Sequence, residues 1–356
     1  MKLCQFGRAP GILCLLLAAF PLTACGDDAN SPHDAATPDA SLPDATPPAD
    51  ADPNKLSSQG LYSDIKTHTI GPAAIEYTPN YALWADEAAK RRWIVLPPDT
   101  KIETSDMDHW QFPVGTRLWK EFATPEGKLL ETRLIEKKPD GTFFFGAFVW
   151  QEDGLEAILT LDGASNILGT MHDVPSKARC VLCHKGESGR ILGFSAMQLS
   201  KDGAAPTLKS LAADHLLTDP PPADTDYRFP GDAKAQAAMG YLHANCGHCH
   251  TPDGTAYNDT CIAGTTNECM QLQFRVADAA PHAAADSAVM KSLVGIPTHS
   301  NTFPSTTRLT AHNTQMSAIY VRPSQRGGAI QMPPAFSTEV VDTTGIAALE
   351  AWIDSL

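Results

Sequence analysis

The sequence predicts an α+β chain of more than one domain, a mostly-β meander or small sandwich followed by a mostly-α region. Between residues 57 and 175, short apolar, aromatic and β-branched runs alternate with turn sequences. Beyond Pro175 the apolar residues recur at helical spacing. The third observation is size: 356 residues, 43% hydrophobic and 19% charged, are enough for two ordinary domains.

Residues 1–24 read as a signal peptide. Lys2 and Arg8 precede an apolar stretch from position 11 to 20 that is too short for a permanent span. Leu22-Thr23-Ala24-Cys25 resembles a bacterial lipobox, so Cys25 is expected to be the lipidated mature N-terminus of an exported chain. By resemblance to enterobacterial lipoprotein sorting, where Asp after the Cys favours retention in the inner membrane, Gly26 implies the outer membrane, facing the periplasm or the cell surface. Residues 25–56 follow as a tether of Asp, Ala, Pro, Ser and Thr that repels itself and cannot bury a core. A net charge of −14 and a pI near 5.2 argue against nucleic acid and against an anionic membrane surface. Membrane contact is therefore expected through the lipid anchor alone.

Strand-like runs fall at 92–96, 116–122, 128–137, 142–151 and 157–161. Thr124-Pro125-Glu126-Gly127 and Pro139-Asp140-Gly141 supply turn chemistry between consecutive runs. The aromatics of this region, among them Trp93, Trp119 and Trp150, are expected to pack the core and the sheet faces. Domain boundaries are expected at 57–175 and 176–356. In the second region, 233–244 carries Ala and Leu at helical spacing, and 344–356 sets Ile346, Leu349, Trp352 and Ile353 on one face. Asp342 or Thr343 can cap that last helix.

Two pentapeptides carry the chemistry: Cys180-Val181-Leu182-Cys183-His184 and Cys246-Gly247-His248-Cys249-His250. Cysteines three apart followed by His suit two thioether bonds to haem vinyl groups, with the His as iron ligand. Two covalent haem c groups are thus expected, with His184 and His250 on iron. His248, at a central position of its motif, is expected to face solvent without ligating. A zinc site would need further thiolate or imidazole ligands. Cys4 and Cys14 leave with the signal peptide, and Cys261 with Cys269 are read as closing a small disulfide loop rather than as two free thiols. Met332, in Gln331-Met332-Pro333-Pro334 ahead of the last helix, is the expected sixth ligand of the second haem, with Met316 its rival. For the first haem the nearest downstream candidate is Met197; Met171, His172, Met239 and His243 are also near one motif or the other.

The chain resembles a family of bacterial diheme c-type cytochromes with an N-terminal β-region and a C-terminal two-haem region. The resemblance rests on Trp84-Ala85-Asp86, 90–97, Phe112-Pro113-Val114-Gly115-Thr116, Glu131-Thr132-Arg133-Leu134, Phe148-Val149-Trp150, the two Cys motifs, Tyr241-Leu242-His243-Ala244-Asn245, Met332-Pro333-Pro334 and Trp352-Ile353. It spans most of 77–356. It implies a cytochrome c-like diheme domain, electron transfer with redox partner proteins of the cell envelope, and Met332 as ligand. Two other functions fit the same motifs: a diheme peroxidase or oxidase, with one iron position open, and a ligand-binding β-domain carrying an attached cytochrome.

Overall fold

A computed structural model of the chain describes residues 51–261, 269–299 and 306–356. The signal peptide, Cys25 and most of the tether lie outside the described residues. No helix among the described residues is long and apolar enough to cross a membrane.

A two-stranded hairpin, β1 (Tyr62–Asp64) with β2 (Thr69–Ile70), precedes a six-stranded antiparallel meander. Its strands are β3 (Ile75–Glu76), β4 (Ala89–Val95), β5 (Arg117–Ala123), β6 (Leu129–Lys137), β7 (Phe143–Trp150) and β8 (Ala157–Thr160), and each pairs with the next in sequence. Short turns of the expected type make this order possible: Gly127 (φ +92°) and Gly141 (φ +81°) close the two central hairpins in the left-handed region open to glycine. The expectation of a meander or a sandwich resolves to a single meander sheet.

Because side chains alternate across a strand, the register sorts the sheet into two faces. Trp93, Trp119 and Leu134 stand side by side on one face, which packs with Phe148 and Trp150 against Leu56, Leu61 and Tyr62. The opposite face carries two rows: Ile94, Leu118, Ile135 and Phe145, then Arg92, Lys120, Arg133 and Ala147.

Helices follow the sheet: α1 (Lys177–His184), α2 (Ala196–Leu199), α3 (Leu208–Ala213), α4 (Ala233–Leu242), α5 (Ala288–Leu293), α6 (Ala318–Val321) and α7 (Thr343–Ile353). Asp232 caps α4 by accepting from Ala235 N at 2.9 Å, and Asp342 caps α7 by accepting from Gly345 N at 2.9 Å. α4 runs on into a π-helical turn over His243–Gly247, so the second motif opens where the helix widens.

α4 and α7 pack together on a core of Ala238, Leu242, Ile346, Leu349, Trp352 and Ile353. Gly345 makes the approach close, since a Cβ there would stand 2.1 Å from the Tyr241 ring. A separate cluster joins Ile94, Trp110, Phe112 and Leu118 to Ile191, Phe194, Leu199, Leu211 and Leu217. Residues on both sides of position 175 thus share one core, and the described residues all belong to one compact unit.

Candidate cofactor site

The first motif lies on α1, started by Ser176, whose hydroxyl accepts from Arg179 N. No α1 residue is fully buried, and Val181 and Leu182 are 42% and 39% exposed. Cys180, Cys183 and His184 line a cavity of about 200 Å³ that is partly open to solvent. The sheet face with Arg92, Lys120, Arg133 and Phe145 and residues 335–339 also line it. Phe145 and His184 meet ring to ring at 5.3 Å.

His184 Nδ1–H donates to the Arg190 carbonyl at 2.6 Å, leaving Nε2 as the nitrogen with a free lone pair. Loss of hydration around the enclosed ring pulls the His184 pKa down to about 4, so it is neutral and competent as a ligand near neutral pH. Arg190 holds that carbonyl in place from a left-handed conformation (φ 59°).

The second motif is more deeply set. His250 is 5% exposed, its Nδ1 has no hydrogen-bond partner among the described residues, and burial lowers its pKa to about 3. A buried, neutral imidazole is competent as a ligand through its other nitrogen, Nε2, and the orphaned Nδ1 is the position where a ligating His usually donates a second hydrogen bond. Asn245, 6% exposed, locks the approach: it accepts from Trp84 N at 2.7 Å and donates to Tyr241 O at 3.1 Å and Ala82 O at 3.4 Å. The Trp84 segment is anchored in turn by Trp84 Nε1 donating to Val340 O at 3.0 Å, and by Asp86 accepting from Glu339 N and Val340 N.

The two motifs are far apart in sequence and converge in space. Donor atoms of Cys183, His248 and Cys249 all lie within 4.8 Å of one another. Gly186 presses against the His248 carbonyl, and Thr255 Oγ1 donates to Leu182 O at 2.6 Å. The expectation for His248 is corrected: it is 8% exposed, lines the cavity beside the first motif, and has an unpartnered Nδ1. Periodicity gives no sign of this, because the burial comes from the first motif and the loop behind it packing on the second.

The remaining candidates separate. Met332 is half-buried between α6 and α7; its N–H donates to Arg322 O at 3.2 Å, and the Arg322 charge is among the causes lowering His250. Met316 is also half-buried, with its N–H donating to Asn313 Oδ1. Met197 packs in the α4/α7 core with Phe229 and Met239 and does not line the cavity. His172 does line it: its ring bonds Glu131 at 2.8 Å, and Glu131 also takes the Arg133 guanidinium. Burial raises the Glu131 pKa, but Arg133 and His172 outweigh it and hold the carboxyl below its ordinary value. Met171 is exposed, whereas Met239 is buried and His243 half-buried in the helical region. A disulfide joins Cys261 and Cys269.

Comparison with family models, with curated proteins and with solved structures finds no match.

Proposed function

We propose that this chain is a diheme c-type cytochrome that carries electrons in the bacterial cell envelope, held to a membrane through Cys25. The convergence of the two Cys-x-x-Cys-His motifs is the observation that carries the reading. Each haem would supply an iron that takes up and releases one electron. Cys180 and Cys183 would hold the first and Cys246 and Cys249 the second. His184 suits the role of ligand through its free Nε2, and His250 through its place in the second motif and its buried, neutral ring. Met332 would complete the second site, in a loop tied down by Arg326 donating to Val340 O and Gln331 donating to Thr338 O. The close approach of side chains from both motifs gives a short path between the two centres.

A second reading has one specific observation in its favour: Cys183, His248 and Cys249 could bind a single metal ion directly. It leaves Cys180, His184, Cys246 and His250 without a role, and three donors fall short of the four of a closed zinc site. Metal analysis and absorption spectra of protein made with a haem-maturation system separate the two. Two irons per chain with haem absorption support the cytochrome, and one zinc or iron without haem absorption overturns it.

A further inference from the structure

On the cavity-facing side of the sheet, Arg92, Lys120 and Arg133 occupy directly opposed positions on three adjacent strands. Like charges in that register repel, and burial deepens the cost. Arg133 is neutralised by Glu131. Arg92, only 6% exposed, and Lys120 have no carboxylate within ion-pair distance among the described residues. Burial and then the charges of Arg92, Lys90 and Arg133 hold the Lys120 amine well below the ordinary lysine range. Of the three acids that line the cavity, Asp86 accepts from Glu339 N and Val340 N, Asp173 accepts from Asn166 N, and Glu339 makes no ion pair with Arg92 or Lys120 among the described residues.

We infer that Arg92 and Lys120 form a carboxylate-binding site on the cavity wall. The inference rests on the proposed function for its preferred source of carboxylates, the two propionates of the haem at Cys180 and Cys183. Two cations without an acidic partner match two carboxylates. The row also runs away from the attachment point, since Arg133 senses the Cys180 and Cys183 thiols while Arg92 lies two strands further, about 10 Å on at the usual strand spacing. The other source is a small free carboxylate or oxyanion entering from solvent.

The test uses the holoprotein and its Arg92→Gln, Arg92→Lys and Lys120→Met variants. Intact mass reports haem attachment, and redox titration reports both midpoint potentials. With propionates on these cations, Arg92→Gln and Lys120→Met keep both haems but lower one midpoint and leave the other unchanged, and Arg92→Lys restores it. If instead acetate or inorganic phosphate shifts the wild-type spectrum saturably and Arg92→Gln loses that response, the site takes a free anion. Unchanged potentials together with no anion response overturn the inference. Should no covalent haem be found, the proposed function fails separately. Thermal-shift titration with acetate and phosphate, wild type against Arg92→Gln, then still decides whether the anion site exists.

Discussion

Gly186 sits against the His248 carbonyl so closely that a Cβ at position 186 would be 2.1 Å from the oxygen. The loop after the first motif can reach the second only because residue 186 lacks a side chain. Gly186→Ala must therefore move backbone, and overpacking of this kind costs about 1–3 kcal/mol. We expect a lower melting temperature and slower electron exchange between the centres. Wild-type stability and kinetics in this variant would show that the contact is slack.

Asn245 ties the Trp84 segment to the second motif through three hydrogen bonds. Asn245→Ala leaves the Trp84 N–H and two carbonyls without that partner, at a cost of about 1–3 kcal/mol. Chemical denaturation should show a lower midpoint, and Asn245→Asp should not rescue it, because a buried carboxylate can accept from Trp84 N but faces the Tyr241 and Ala82 carbonyls with no proton to donate.

His243 is half-buried, accepts from Phe274 N at Nδ1, and has its pKa lowered to about 4, by loss of hydration first and then by the Arg275 charge. The unfolded chain binds a proton near pH 6.5 and the folded chain does not until about pH 4, so this contribution is present above 6.5 and is lost as pH falls toward 4. The full effect is roughly 3 kcal/mol. His243→Gln should flatten the stability profile across that window, as measured by denaturation at a series of pH values.

The sheet was legible because turn sequences and alternating runs are local signals: the long strands begin and end within a few residues of their expected positions. The α4 and α7 helices were legible for the same reason, through periodicity and, for α7, an Asp cap. His248 was not legible, since its burial depends on a segment that arrives from far upstream in the chain. The cationic row was equally hidden. Arg92, Lys120 and Arg133 are ordinary charges in three separate strands until register brings them side by side.

Met332 lies in the loop whose backbone meets Arg322, the residue whose charge reaches His250. Met332→Ala should abolish the long-wavelength charge-transfer band of thioether-ligated ferric haem and lower one midpoint potential. Met316→Ala should leave both unchanged. Loss of the band in Met316→Ala instead would reassign the ligand.

Intact mass after acid denaturation tests the central claim most directly, with protein expressed alongside a haem-maturation system. Two haem increments should stay with the wild-type polypeptide, and Cys249→Ala should lose or weaken attachment of one while keeping the other. A wild-type polypeptide carrying no haem increment would contradict the account.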